Sequence, residues 1–164
     1  MVEKVFVGGT PGASSEWSGC GGCSPAANAF EQNPQGYGGW TSDSITNSGS
    51  PPEYVWYDFK RQLLPAKISY LPRKSSVGNA SFVRVKRFQF VGTNDPVCSK
   101  NSDWKVLCGG ESAPYKSLDD ERGCTVPAEQ YMGTFHCLGL RSLVTSDTGT
   151  GEVSLRGIRI WTYQ

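Results

Sequence analysis

Apolar and polar residues alternate along several short stretches of this chain, which predicts β-strands with one buried face. The clearest stretches are 54–59, 66–71 and 88–90, and residues 2–7 predict an opening strand. The segment 25–30 is expected to form one short helical turn, the only one of note. Because clusters of turn-forming residues separate the stretches, the pattern favours an all-β fold, an antiparallel β-sandwich or jelly roll.

The last predicted strand changes the phase of its alternation. Val153 and Leu155 are apolar at odd positions, whereas Ile158 and Ile160 are apolar at even positions. Gly157 lies between the two pairs, and one extra residue in a strand produces such a switch. The sequence therefore predicts a β-bulge at Gly157.

Composition limits the size and the partners of the fold. A chain of 164 residues predicts one domain spanning 1–164. Its 20 glycines and 10 prolines leave little room for helices. The net charge of +1 gives no field that would attract nucleic acid or an anionic membrane, and no apolar run is long enough to span a bilayer.

Six cysteines in one small, turn-rich domain indicate an oxidising compartment. We therefore expect a secreted protein whose signal peptide has been removed; a cytosolic chain with free thiols is the alternative. Six cysteines permit fifteen pairings, and the sequence does not choose among them. The plainest solution joins sequence neighbours, which gives Cys98–Cys108, Cys124–Cys137 and Cys20–Cys23. Asn79 begins a glycosylation sequon, which is consistent with secretion.

Catalytic and zinc chemistry find little support in the sequence. His136 is the only histidine and lies in a predicted strand, so a structural role is the expected one. No Gly-x-Ser-x-Gly elbow and no phosphate loop occur. A structural disulfide is favoured over a redox or zinc site for Cys20-x-x-Cys23, because no long helix follows and no second ligand pair is closely spaced. The chain is therefore expected not to be an enzyme.

Several segments together resemble one known family, the discoidin-like or coagulation-factor type C domains. They occur in the order of that family: AFEQNP and GWTS at 29–42, PEYVWYDF at 52–59, ISYLPR at 68–73, FQFVGTND with a Trp at 88–104, and LGLR with VSLRGIRIW at 138–161. The resemblance implies a galactose-binding-like jelly roll of about eight main strands. It also implies that ligands bind at loops at one end of the sandwich.

The resemblance leaves the ligand open, because relatives bind sugars, phospholipid headgroups or proteins. A secreted, lectin-like or adhesive module that binds a glycan or a glycosylated partner is the first hypothesis. The alternatives are a structural subunit of an extracellular assembly, including self-association, and an accessory binding domain of a larger protein. Nucleic acid and a membrane span are not expected.

Four residues in predicted loops have the side chains that a sugar site uses. Aromatic rings stack on sugar faces, and polar groups hydrogen-bond to hydroxyls. The candidates are Trp17, Tyr37, Arg73 and Asn79. Local packing of Tyr37 and pairing of Arg73 inside the sandwich are the structural alternatives.

Other aromatic residues match positions that face the core in the family, so they are expected to be scaffold. They are Trp40, Tyr54, Tyr57, Trp104 and Trp161. Trp56 points away from Tyr57 in a regular strand and is expected to cover the outer sheet or to join a partner interface.

Calcium is the one cofactor that the resemblance raises. Related carbohydrate modules bind one ion at the loop equivalent to 29–34, through an Asp, loop carbonyls and a Thr. Here Glu31 replaces the Asp, Gln32 replaces the following Gly, and the Thr is missing. A structural calcium ion held by Glu31, Asn33 and carbonyls, and a loop without an ion, are equally compatible with this ligand count.

Overall fold

A computed structural model of the protein describes residues 1–34, 38–43, 49, 52–73, 85–112, 117–130, 133–144 and 152–163. Nine antiparallel strands lie in this part of the chain: β1 Val2–Glu3, β2 Thr10–Ala13, β3 Trp40–Thr41, β4 Glu53–Pro72, β5 Arg87–Thr93, β6 Lys105–Glu111, β7 Arg122–Thr125, β8 Phe135–Val144 and β9 Ser154–Tyr163. The predicted all-β antiparallel fold is confirmed, with three short 3₁₀ turns at Ser18–Cys20, Ala26–Phe30 and Ala128–Gln130. Within the described residues, no helix is long and apolar enough to cross a membrane.

The 20-residue strand β4 joins the two halves of the sheet. Its first half pairs with β2 and β8, and its second half pairs with β7 and β9. Between the halves the strand turns through the exposed residues Lys60 to Gln62. Lys60 has a φ of 58°, the one positive φ among the described non-glycine residues. The alternating stretches 54–59 and 66–71, predicted from the sequence as separate strands, are thus parts of one continuous strand.

The halves pack face to face around one apolar core. Residues from the first half include Val55, Phe90 and Leu140, and residues from the second include Ile68 and Ile160. Each of these side chains is at most 1% exposed. The alternation in the sequence therefore identifies the inward faces correctly, because successive side chains in a strand point to opposite faces.

The predicted β-bulge at Gly157 is present. Opposite β4, the register moves from Ser69↔Arg159 to Leu71↔Arg156, so β9 contains one extra residue at this point. Gly157 has a φ of +59°, a conformation that costs glycine little. The bulge restores the inward direction of the apolar side chains on both sides of the switch.

A second apolar cluster covers the outer face of the first half-sheet. Trp104 stacks on Tyr54 with ring centroids 5.7 Å apart and contacts Trp56 at 5.8 Å. Its indole nitrogen donates a hydrogen bond to the Ser99 carbonyl at 2.9 Å, which fixes the loop above the sheet. The Trp56 ring lies over Gly12, where a Cβ would come within 2.6 Å of it.

The structure corrects part of the aromatic assignment. Trp40 and Tyr57 are buried in the core as expected. Tyr54 and Trp104 are buried, but in the outer cluster rather than in the core. Trp161 is half-buried on the outer surface, with Lys67 Nζ 4.6 Å from its ring centroid, because its position on β9 is out of phase with Ile160.

Two of the three disulfides expected from sequence neighbours are wrong. Cys20–Cys23 is present, but Cys98 pairs with Cys137 and Cys108 pairs with Cys124. The reason is strand order, since β5 lies between β6 and β8. The loop after β5 reaches Cys137 because Thr93 is opposite Cys137, and Cys108 lies near β7, which carries Cys124.

The two kinds of disulfide should differ in their contribution to stability. Alanine at both Cys98 and Cys137 should lower the free energy of unfolding by about 4 kcal/mol, because the bond closes a long loop. Alanine at both Cys20 and Cys23 should cost only about 2 kcal/mol, because that loop is short. Chemical denaturation of both double variants measures the difference, and equal losses would contradict this account.

Candidate functional site

Three segments distant in sequence meet at one end of the sandwich, here called the loop end. Trp40 and Thr41 of β3 pair with Leu155 and Ser154 of β9. The Trp17 amide donates to the Thr41 carbonyl at 2.8 Å, which adds the segment after β2. Trp40 is fully buried, and its indole nitrogen donates to the Ser15 carbonyl at 3.0 Å. This buried ring therefore fixes the relative positions of all three segments.

Trp17 and Arg73, two of the predicted ligand residues, converge on Thr41. Arg73 lies directly after β4 and donates from Nη1 to Thr41 Oγ1 at 3.2 Å. Trp17 is half-buried and its indole packs against Gly19, where a Cβ would lie 2.7 Å from the ring. Tyr37 and Asn79, the other two candidates, lie outside the described residues.

Asp43, which the sequence did not single out, is the buried acid of the loop end. Asp43 is only 1% exposed, and Ser18 Oγ donates a hydrogen bond to Asp43 Oδ1 at 3.0 Å. Its amide donates to Ser15 Oγ at 3.0 Å. The Ser15 hydroxyl in turn donates to Glu53 Oε2 at 3.1 Å, and Ser14 donates to the same oxygen. The Ser15 hydroxyl thus links the buried Glu53 carboxylate to the backbone of Asp43.

Glu152 adds a further carboxylate next to this network. Burial raises its pKa above the usual value, and the negative charge of Asp43 raises it further. The positive charge of Arg73 offsets part of this rise in the pKa of Glu152. The partly exposed Glu152 carboxylate can accept and the Arg73 guanidinium can donate hydrogen bonds to a polar ligand, whereas the buried Asp43 acts on both through its charge.

Asp43 and Glu152 could not be paired from the sequence, because more than 100 residues separate them. The available signal was the polar run Thr41-Ser42-Asp43 directly after the apolar Trp40. Ser42 supports the same contact, because its amide donates to the Val153 carbonyl and its hydroxyl accepts from the Val153 amide, both at 2.9 Å.

The loop proposed for calcium is crossed by a buried guanidinium. Arg156 donates to the carbonyl oxygens of Gln32 and Leu118, and its side chain is only 4% exposed. The Glu31 carbonyl accepts from the Gly157 amide at 2.9 Å. Two loop carbonyls are therefore already hydrogen-bonded, while the side chains of Glu31 and Asn33 are exposed. A fixed positive charge at this loop opposes the binding of a second cation.

His136 and Asp58 form a separate polar group at the opposite end, where β4 turns. His136 Nδ1 lies 3.0 Å from Asp58 Oδ1, and its Nε2 lies 3.0 Å from the Asp95 carbonyl oxygen. Burial would raise the pKa of Asp58, but hydrogen bonds from Lys60 and His136 outweigh it and hold the pKa below the usual value. The single histidine therefore joins β8 to the turn of β4 and to the loop after β5.

Solved structures with the same architecture include carbohydrate-binding modules and a type C domain. The family 32 carbohydrate-binding module of Clostridium perfringens NanJ, in complex with galactose, is 15% identical, with 93% of this chain and 92% of that chain covered and a TM-score of 0.61. A second C. perfringens module of this family, in complex with GalNAc-β-1,3-galactose, is 14% identical over 93% and 94%, with a TM-score of 0.66.

An F5/8 type C domain of Bacteroides fragilis is 11% identical over 99% of this chain and 96% of that chain, with a TM-score of 0.69. No family sequence profile and no curated protein sequence matches this chain. The likeness therefore lies in the backbone, and it confirms the discoidin-like, galactose-binding-like fold that the sequence motifs indicated.

Glutamine at Glu152 should stabilise the protein at neutral pH. The folded state binds more protons than the unfolded state between pH 4.5, the ordinary value of this group, and its raised pKa. Wild-type stability should therefore fall as the pH rises through this window, whereas the variant lacks this dependence. The gain should stay below about 1 kcal/mol because solvent screens the group. Denaturation curves from pH 4 to 8 measure it, and a variant less stable than wild type at pH 7 would contradict the assignment.

The stability of the loop 29–34 should depend on Arg156 and should not depend on calcium. Methionine at Arg156 leaves the Gln32 and Leu118 carbonyls without a donor, so the free energy of unfolding should fall by about 2–4 kcal/mol. The melting temperature of the wild type should be the same with calcium and with a chelator. A rise on adding calcium, lost when Glu31 is changed to Gln, would instead establish an ion site.

Proposed function

We propose that this chain is a non-catalytic glycan-binding module, a single domain spanning 1–164, with its ligand site at the loop end. The observation that carries the proposal is the convergence of Trp17 and Arg73 on Thr41, next to the acids Asp43 and Glu152. The carbohydrate-binding modules among its structural neighbours support the same class of ligand.

The chemistry of the loop end suits a neutral or amino sugar. Carboxylates accept hydrogen bonds from vicinal hydroxyls, and the guanidinium donates to ring or hydroxyl oxygens. The half-buried Trp17 ring provides an apolar surface beside these groups, and sugars stack on such rings. The serine network holds Asp43 in place before binding, which reduces the entropy lost when a ligand is ordered.

A binding role fits the described polar groups better than catalysis does. Hydrolysis would need a nucleophile or base positioned against a reacting bond. In the described part of the loop end, the serine hydroxyls of Ser14, Ser15 and Ser18 all donate to carboxylates that hold them in structural contacts. The three disulfides support secretion, because such bonds persist in oxidising compartments.

Glycan-array screening of the intact chain, repeated with a chelator, tests the proposal. The best sugar should then be titrated by calorimetry against the wild type and against Arg73→Ala, whose affinity should fall by about 10- to 100-fold, as the loss of a charged hydrogen bond implies. Arg61→Ala is the matched control, because Arg61 is an exposed arginine at the opposite end, where β4 turns. Its affinity should equal that of the wild type.

Two results would overturn the proposal. The first is no glycan signal together with a stable complex of this chain with itself or with another protein, which would favour a structural subunit. The second is an equal loss of affinity in Arg73→Ala and Arg61→Ala, which would place the ligand elsewhere.

A further inference from the structure

We propose that Asp58, Cys98, His136 and Cys137 bind one zinc ion when the Cys98–Cys137 disulfide is reduced. This end of the molecule would then hold either a disulfide or a metal ion, but never both. The site is distinct from the loop end and does not depend on the glycan proposal.

The four side chains already have their donor atoms in one place. One oxygen of Asp58, one ring nitrogen of His136 and the two sulfur atoms all lie within 4.8 Å of one another. Two thiolates, an imidazole and a carboxylate form a donor set typical of tetrahedral zinc. Strand β4 supplies Asp58, β8 supplies His136 and Cys137, and the loop after β5 supplies Cys98.

Neighbouring groups orient the two ligands that are not sulfur. A hydrogen on His136 Nε2 can donate to the Asp95 carbonyl oxygen 3.0 Å away, and in that tautomer Nδ1 would bind zinc in place of its present hydrogen bond to Asp58. The Lys60 amide donates to Asp58 Oδ1 at 2.9 Å, and the Lys60 ammonium pairs with Oδ2. Zinc ligands in proteins are oriented by contacts of this kind.

The ion and the reductant can reach the group from solvent. Asp58, Lys60, Pro96 and His136 line an open depression at the turn of β4. Cys98 is half-buried in the loop beside it, whereas Cys137 is fully buried. Reduction therefore begins at the sulfur of Cys98, the accessible one of the pair.

The chemistry balances with a thiol reductant. A dithiol transfers two electrons and two protons to the Cys98–Cys137 bond, the S–S bond breaks, and the reductant becomes a disulfide. Zinc then replaces the two thiol protons, which are released to solvent. The ion would keep the loop at 95–104 attached to β8, and this loop holds Trp104 over the outer face of the sheet.

The test uses the intact chain reduced by a phosphine, which is oxidised to its oxide and, unlike a thiol, does not compete for the metal. One zinc should bind per reduced chain and none per oxidised chain. Alkylation followed by peptide mass spectrometry should show Cys98 and Cys137 protected at least about tenfold by zinc. Cobalt substituted for zinc should give the absorption of a tetrahedral thiolate site.

Two variants separate this site from the Cys20–Cys23 pair. Gln at His136 should weaken zinc binding by at least about tenfold, and its cobalt spectrum should change. Ser at both Cys20 and Cys23 is the matched control and should leave stoichiometry and affinity unchanged. Protection of Cys20 and Cys23 instead, an affinity insensitive to His136→Gln, or alkylation of Cys98 and Cys137 at the same rate with and without zinc would each overturn the proposal.

Discussion

The constraint on which the structure depends is the passage of β4 from one half of the sheet to the other. A single strand, Glu53–Pro72, pairs with β2, β7, β8 and β9, so both layers are fixed relative to each other through one continuous backbone. The turn needs a left-handed residue, and Lys60 adopts this conformation at a cost of roughly 1 kcal/mol or more. The Lys60 amide and ammonium both contact the Asp58 carboxylate, which offsets the strain and fixes where the strand turns.

The loop-end network and the His136–Asp58 pair are both attached to this strand. Glu53, at its start, accepts hydrogen bonds from Ser14 and Ser15 and so supports Asp43 at the loop end. Asp58, five residues later, holds His136 at the opposite end. Because the backbone between them pairs on both sides with β2 and β8, neither carboxylate can shift without disturbing the sheet. Each site is therefore held in place by the scaffold rather than by its own loop.

Features set by local alternation were predictable from the sequence, and features set by strand order were not. The bulge at Gly157 and the 3₁₀ turn at Ala26–Phe30 follow from neighbouring residues and were predicted correctly. The disulfides of Cys98 and Cys108 depend on which strands are adjacent, and pairing sequence neighbours gave the wrong partners. The expectation that Trp161 faces the core was wrong for a related reason. A family motif does not show which side chains of β9 point inward.

The same distinction separates the fold from its candidate site. The motifs that resembled a known family contain Phe88, Phe90 and Leu138, which are buried and specify only how the layers pack. Arg73 and Trp17 could be selected as loop residues of a suitable chemical type, but Asp43 and Glu152 interact only because β3 pairs with β9. Ser15 and Ser18 hold Asp43 by hydrogen bonds, and none of these three residues belongs to the apolar core. A change in the ligand-contacting residues can therefore alter what is bound while the packing of the sandwich stays the same, which is why fold likeness at low identity leaves the ligand undetermined.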